Sequence, residues 1–146
     1  MVTYEANPDL ANEALNALFA DAWPDHTPRD FSPVLSHNFG HVCATVDGLL
    51  VGFVNVAWDG DKHAFLLDTT VRSDFQRQGI GTQLVRCAID LAKAKGVAWL
   101  HVDYEPRLAE FYAKCGFQTT EAGLMNLGEE VKGRQDAPYD RLANEG

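Results

Sequence analysis

The residues best suited to chemistry lie in a short glycine-bearing loop in the middle of the chain. Residues 76–82 read QRQGIGT and stand between a predicted buried strand and a predicted amphipathic helix. Glycine lets another molecule approach the backbone closely, and the first N–H groups of a helix bind anions. With Arg77 and two side-chain amides beside it, this loop predicts a phosphate site.

Two widespread phosphate-binding motifs do not match this loop. A P-loop requires GxxxxGK[ST], which is absent from the sequence. A dinucleotide fingerprint requires GxGxxG, and Leu84 stands where the third glycine belongs. The loop also follows a predicted hairpin meander instead of a first strand. The pattern therefore favours a phosphate ligand other than a P-loop nucleotide or a Rossmann dinucleotide.

The elements around the loop predict an α/β (α+β) fold. Helices are predicted from Asn7-Pro8 to about Ala22, after Phe31, from Ile80 and from Pro106. Asp47-Gly48 marks a two-residue hairpin turn. Hairpin strands followed by βαβ units imply a mixed central sheet of six to seven strands with helices on both faces. The predicted strands are residues 2–5, 41–46, 49–58, 63–71, 97–102, 117–120 and 122–127.

The composition is that of one acidic globular domain. The 146 residues carry 21 acidic and 12 basic side chains, a formal net charge of −9. This balance argues against nucleic-acid and anionic-membrane partners, because both need clustered Lys and Arg. Residues 1–60 hold eight acids and one base, whereas residues 61–117 hold seven acids and eight bases. The middle of the chain is therefore the part that accommodates an anion.

Cysteine usage and the N-terminus bear on metal binding and location. Cys43, Cys87 and Cys115 lie far apart, without CxxC or Cys/His ligand spacing, so no metal site is expected. The odd cysteine count and the absence of a signal-like start predict a reducing, cytoplasmic location. No stretch reaches the roughly 18 apolar residues of a membrane span.

Two segments resemble the signatures of the GNAT superfamily of acetyltransferases. Residues 71–81, VRSDFQRQGIG, resemble V-x-P-x-x-[QR]-x-x-G-x-[GA], with Ser73 where proline is common. Residues 108–117, LAEFYAKCGF, resemble A-x-x-F-Y-x-K-x-G-F, with Leu108 in place of alanine. The resemblance covers about residues 41–127. It implies a GNAT acyl-CoA N-acyltransferase fold. The length predicts one domain, 1–146, and the scarcity of apolar residues predicts a tail over residues 128–146.

The resemblance also implies a site for acetyl-CoA as co-substrate, between two central parallel strands that splay apart. The pyrophosphate is expected on the backbone N–H groups of residues 78–82 and the pantetheine arm along residues 69–71. The family often places Asn at the start of the last helix, where this chain has DYEP, so that contact is not expected. The cofactor-binding residues are then expected to be Thr69, Thr70, Val71, Gln76, Arg77, Gln78, Gly79, Ile80, Gly81 and Thr82.

Three residues are candidates for catalysis. Tyr112 resembles the family tyrosine that donates to the cofactor sulfur, although its helical spacing also fits a core aromatic. Asp68 interrupts an apolar strand, so we expect a buried carboxylate with a raised pKa, acting as base or as a structural partner. His101 lies on the opposite splayed strand and is either a base or a core histidine. Proton loss through a water chain is a further possibility, and backbone N–H groups near residues 69–71 are the oxyanion donors that the resemblance implies.

The acceptor is expected to be a cationic small-molecule or peptide amine, bound by a monomer or a homodimer. Two other functions stay open: a non-catalytic acyl-CoA-binding or regulatory module, and an acyltransferase that uses a longer acyl-CoA. The candidate acceptor-side residues are Trp23, His26, Phe31 and Trp58, with Asp21, Asp25, Asp30 and Asp59 to attract an ammonium group.

Overall fold

A computed structural model describes residues 1–128 of the chain, which form five strands, four α-helices and two short 3-10 turns. The 3-10 turns are Ser73–Phe75 and Pro106–Leu108. The helices are α1 (Asn12–Ala22), α2 (Ser32–His37), α3 (Ile80–Ala94) and α4 (Ala109–Lys114). The strands are β1 (Thr3–Ala6), β2 (Gly40–Val46), β3 (Leu49–Trp58), β4 (His63–Val71) and β5 (Trp99–Val102).

The strands form one mixed sheet in the order β1-β2-β3-β4-β5. The first four strands pair antiparallel, and β4 pairs parallel with β5. Asp47 and Gly48 both take positive φ, at 49° and 80°, as a two-residue type I′ hairpin turn requires. Helix α3 supplies the crossover that a parallel pair needs. The predicted mixed α/β sheet is confirmed.

Helices cover both faces of the sheet, because successive side chains of a strand point to opposite faces. On one face, Leu84 of α3 packs with Val42, Val54 and Leu66 in a buried cluster. On the other face, Leu15 and Leu18 of α1 pack with Cys43 and Phe53. The sheet thereby holds α1 and α3 on opposite sides of β3 and β4.

Helix α3 lies unusually close to the sheet at Gly52. A Cβ atom placed on Gly52 would stand 2.8 Å from Leu84 Cδ1 and 3.3 Å from Ile80 Cγ2. Since Ile80 is the first residue of α3, this contact sets the height of the helix N-terminus above the sheet. The absence of a side chain at Gly52 therefore helps to position the loop that precedes α3.

The predicted first helix begins later than expected. The sequence placed its start at Asn7-Pro8, but α1 begins at Asn12. Asn7 takes a φ of 56°, donates its N–H to His41 O and accepts from His41 N–H through Oδ1. Asn7 thus continues the pairing of β1 with β2 instead of capping a helix.

The predicted strand count is too high for the described residues. Five strands form within residues 1–128, and residues 117–127, expected to supply two more, form none. After Gly116, at a φ of 102°, the Phe117 N–H donates back to Tyr112 O. The apolar residues that follow do not alternate, so they offer no single face to bury. The tail predicted over residues 128–146 lies outside the described residues, apart from Gly128.

A membrane span requires a helix of sufficient length and apolar character. None of the helices formed by residues 1–128 is both long enough and apolar enough to cross a bilayer.

Replacing Gly52 with alanine tests the close approach of α3. The added methyl group would meet Leu84, Ala44 and Ile80, so we expect the free energy of unfolding to fall by about 1–3 kcal/mol in urea titrations. Gly123→Ala is the matched control, because nothing lies within 4 Å of a Cβ there. Equal stability of both variants would show that α3 does not depend on this contact.

Candidate functional site

The central feature of the site is the separation of β4 from β5. The two strands pair from His63–Trp99 to Leu66–Val102. Strand β5 ends at Val102, whereas β4 continues for five more residues to Val71. No further pair between β4 and β5 follows Leu66–Val102. An extended ligand that carries amide groups can pair with a strand edge.

A β-bulge lies where the strands part. Phe53 pairs with Thr70 and Asn55 pairs with Leu67, so one residue of β3 stands opposite two residues of β4. Asp68, one of the two, takes a φ of 58°, and its carbonyl accepts a hydrogen bond from Thr70 Oγ1 at 2.9 Å. Because a bulge bends its strand and increases the local twist, it accounts for the departure of β4 from β5.

The loop between β4 and α3 presents the helix start towards solvent. Gly79 caps α3 with φ 81° and ψ 6°, and Arg77 also has a positive φ, 62°. The first helical hydrogen bond runs from Gln83 N–H to Gly79 O, so the three preceding N–H groups point out of the helix end. Since glycine has no side chain to cap them, these groups are suited to an anion, and the phosphate site stays a prediction.

Two of the predicted cofactor residues use their side chains to shape this loop. The Gln76 amide donates to Val71 O at 3.0 Å, and the Gln78 amide donates to Asp74 O at 3.4 Å. These bonds fold the loop back on the end of β4. Cofactor contact stays a prediction for these two residues and for the other expected ones.

Asp68 lies at the parting of the strands and reaches the surface instead of the core of the sheet, which corrects the expected core position but keeps the expected raised pKa. The positive φ at the bulge breaks the in-out alternation that would have turned it into the core. Surrounding protein atoms still desolvate the carboxyl, and this raises the pKa of Asp68 above its ordinary value. The positive charge of Arg29 opposes that shift.

His101 belongs to an exposed cluster of rings on β4 and β5. Its Nε2 lies 2.8 Å from Nδ1 of His63, and its ring stacks on Phe65 with centroids 4.7 Å apart. It is therefore not a core histidine. His63, which sequence reasoning missed, fixes the ring orientation of His101. Only the parallel register, with Phe65 opposite His101, brings these residues together.

Tyr112 is fully buried beneath the sheet. Its ring stacks on Tyr104 at a centroid distance of 4.9 Å and meets the edges of Phe111 and Phe117. The same buried cluster contains Val71 and Ile80, which flank the loop before α3. Tyr112 is thus a core aromatic that lies beside the proposed cofactor strand.

The acidic residues on the α1 side are held by local hydrogen bonds. Asp30 accepts from the hydroxyl and the N–H of Ser32, and these bonds lower its pKa. Asp59 accepts from the N–H groups of Asp61 and His63, and the first of these bonds contributes most to the lowering of its pKa. Both carboxylates consequently stay ionised while they shape their own turns.

Of the aromatic residues expected on the acceptor side, one is core. Phe31 is buried against Phe19, whereas Trp58 stays half-exposed, with its indole N–H donating to Asp61 O. His26 is partly buried and bonds Asn16 through Nε2 at 2.9 Å. Desolvation, together with the charge of Arg29, lowers the pKa of His26.

The connection between α1 and α2 is fixed by two asparagines of α1. Asn16 Oδ1 accepts from Arg29 N–H and its Nδ2 donates to Arg29 O. Asn12 Oδ1 accepts from Phe31 N–H. These bonds place Arg29 over the Phe31 ring, 5.0 Å from its centroid, and within electrostatic range of Asp68.

Metal ligation has no candidate in the described part of the chain. Within residues 1–128, no three His, Cys, Asp or Glu side chains are grouped so that they could hold a metal ion.

Comparison with protein families and curated sequences gives a consistent result. A family model described as the acetyltransferase (GNAT) family matches residues 9–117. Mycothiol acetyltransferase of Mycolicibacterium vanbaalenii is 35% identical over 69 residues, 47% of this chain and 23% of that protein. Probable glucosamine 6-phosphate N-acetyltransferase 2 of Oryza sativa subsp. japonica is 34% identical over 58 residues, 40% of this chain and 35% of that protein. The chain thus spans well under half the length of either relative.

Solved structures match the fold over most of the chain. A GNAT family acetyltransferase of Streptococcus pneumoniae gives a TM-score of 0.70 at 24% identity, covering 88% of this chain and 100% of that one. Glucosamine-6-phosphate N-acetyltransferase of Arabidopsis thaliana gives a TM-score of 0.69 at 15% identity, and the match covers 87% of this chain and 99% of that one. AAC(6')-Iy, in complex with a bisubstrate analog of CoA, gives a TM-score of 0.72 at 19% identity, and the match covers 88% of this chain and 99% of that one.

The ionisation of Asp68 can be followed by NMR titration of its side-chain carboxyl carbon. Because desolvation disfavours the charged form, we expect a midpoint above the ordinary value of 3.8. Arg29→Gln should raise the midpoint further, since it removes the positive charge that opposes the shift. Asp30 is the reference in the same spectra and should titrate below 3.8. A midpoint for Asp68 at or below that of Asp30 would contradict the desolvation described here.

Proposed function

The chain belongs to the GNAT family of acetyltransferases, as its two signatures indicated, and from this premise we propose that it transfers an acetyl group from acetyl-CoA to a primary amine. The observation that carries the proposal is the end of the β4–β5 pairing at Leu66, while β4 runs on to a loop whose helix N–H groups face outward. An extended amide-bearing arm with a pyrophosphate fits this combination of an edge and an anion site.

The proposed cofactor site follows β4 into α3. The pantetheine arm would pair with residues 69–71, and the pyrophosphate would accept from the N–H groups of residues 78–82, with Arg77 beside it. The near-neutral segment over residues 61–117 suits this polyanion better than the acidic segment before it.

The reaction is proposed as direct attack of the amine in a ternary complex. The bound thioester supplies the acyl group and the thiolate that leaves. Backbone N–H groups near residues 69–71 would stabilise the oxyanion. The phenol of Tyr112, which belongs to the same buried cluster as Val71 and Ile80, would donate its proton to the departing thiolate.

Asp68 is the base that we propose, with His101 as the second candidate. Asp68 lies where β4 and β5 part, and its raised pKa makes it a better proton acceptor than an ordinary carboxylate. His101 comes one residue before the last β5 pair, and its Nε2 is engaged by His63. In this proposal the amine loses its proton to the Asp68 carboxylate as its nitrogen attacks the carbonyl carbon of the thioester.

The acceptor itself is proposed to be a cationic small-molecule or peptide amine, received between α1 and the exposed ends of β3 and β4. A panel of amines assayed for CoA release with acetyl-CoA tests the activity, and calorimetry of acetyl-CoA binding tests the site. Binding without release for any amine would favour the non-catalytic acyl-CoA module. Absence of acetyl-CoA binding would overturn the proposal.

Gly79→Ala tests the anion site. The φ of 81° is strained for any residue with a Cβ, so the helix start should shift and the Kd for acetyl-CoA should rise about tenfold or more. Gly48→Ala is the matched control, because Gly48 has a φ of 80° and, like Gly79, nothing within 4 Å of a Cβ. Both variants should lose similar stability, and only Gly79→Ala should lose cofactor affinity. An equal loss of affinity in both would place the pyrophosphate elsewhere.

Tyr112→Phe separates catalysis from packing. Phenylalanine keeps the ring contacts with Tyr104 and Phe117 but removes the proton donor, so we expect kcat to fall about 100-fold with an unchanged Kd for acetyl-CoA. The melting temperature reports any damage to the core. If kcat stays at the wild-type value with an amine that turns over, Tyr112 is a core aromatic alone.

A further inference from the structure

We propose that Asp21 is a positioning residue for the acetyl-CoA loop and that it acts through Ser73; this inference rests on the proposed function. The two residues form the Asp21–Ser73 clasp, which ties the end of α1 to the start of the loop between β4 and α3. Neither residue belongs to the expected set of cofactor contacts.

The clasp uses both oxygens of one carboxylate. Asp21 Oδ2 accepts from the Ser73 N–H at 2.6 Å, and Asp21 Oδ1 accepts from Ser73 Oγ at 3.0 Å. The partners are 52 residues apart in the chain. Two charge-assisted bonds to adjacent donors of one residue fix its orientation as well as its distance.

Ser73 is well placed to control the loop. It begins the 3-10 turn Ser73–Phe75, and residues 76–82 follow directly. The Phe75 N–H donates to Arg72 O and closes the turn. The side-chain amide of Gln76, the next residue, donates to Val71 O. The clasp adds a tie to α1, beside the Arg72 N–H bond to Val51 O of β3.

Ser73 is also where this chain departs from the first GNAT signature, which commonly has proline there. Proline would fix φ by its ring but would have no N–H to donate. The preceding Arg72, at φ −56° and ψ 140°, already has the conformation that a residue before proline adopts. The backbone at Arg72 therefore suits a following proline, and here a carboxylate from α1 bonds the serine that stands in its place.

The position of Asp21 in α1 supports a role outside the helix. Asp21 lies in the last turn of α1, which has no basic residue. A carboxylate there faces the negative end of the helix dipole, so within α1 alone its removal should be neutral or stabilising. A loss of loop order or cofactor affinity on removal would therefore come from the clasp.

Hydrogen exchange of the protein without ligand tests the clasp independently of any activity. In Asp21→Ala the amides of residues 73–82 should exchange faster, and amides in β2 and β3 should not change. Glu13→Ala removes another exposed acid of α1 and is the matched control. Unchanged exchange of residues 73–82 in Asp21→Ala would overturn the proposal even if acetyl-CoA proved not to bind.

Calorimetry with CoA tests the consequence for the site. Asp21→Ala should raise the Kd for CoA, and the KM for acetyl-CoA, by about three- to tenfold, with kcat within about twofold of wild type. Asp21→Asn keeps one acceptor oxygen, so its Kd for CoA should lie between those of wild type and Asp21→Ala. Wild type that does not bind CoA overturns the proposed function; wild type and Asp21→Ala that bind CoA equally overturn the clasp.

Ser73→Pro introduces the proline that is common in the family signature, and it forms a double-mutant cycle with Asp21→Ala. It removes both donors while it keeps the backbone conformation, so adding Asp21→Ala to Ser73→Pro should cause no further rise in Kd. Losses that simply add would show that Asp21 acts on the site by another route.

Discussion

The arrangement of the site depends on the early end of the pairing between β4 and β5. Backbone N–H and C=O groups inside a protein require partners, and β4 loses its parallel neighbour after Leu66 while it continues to Val71. The bulge at Asp68 produces the divergence, because one residue of β3 stands opposite two of β4. An extended ligand with its own amide groups can complete the sheet at this edge. The strand geometry thus limits the shape of any ligand that pairs there before a side chain contributes specificity.

The other elements of the site depend on this edge. Helix α3 directs its first N–H groups to the end of β4 because Gly52 lets the helix approach the sheet and Gly79 adopts a left-handed turn. Helix α1 packs on the opposite face and reaches the same end of β4 through Asp21. The proposed anion site and the proposed acceptor side are therefore held by different layers that meet at one point of the sheet.

Much of this fold could be predicted from the sequence, because its signals are local. The Asp47-Gly48 turn, the apolar run of β4 and the glycines before α3 each act within a few residues. The pairs His63–His101 and Asp21–Ser73 could not be predicted, since they depend on strand register and on the packing of α1.

Errors in the sequence reading have physical causes of the same kind. The pair Asn7-Pro8 is typical of a helix start. The bond that Asn7 makes instead, with His41 34 residues away, leaves no local signal in the sequence. The bulge that exposes Asp68 depends on the pairing of β3 with β4, which an apolar run does not reveal. The acids Asp30 and Asp59 did carry a readable signal, since each stands two residues before a backbone N–H that it caps. The charge of the acidic N-terminal segment therefore acts as a field from fixed carboxylates. Arg29, the only Lys or Arg among residues 1–60, counters that field beside Asp68, the base proposed above.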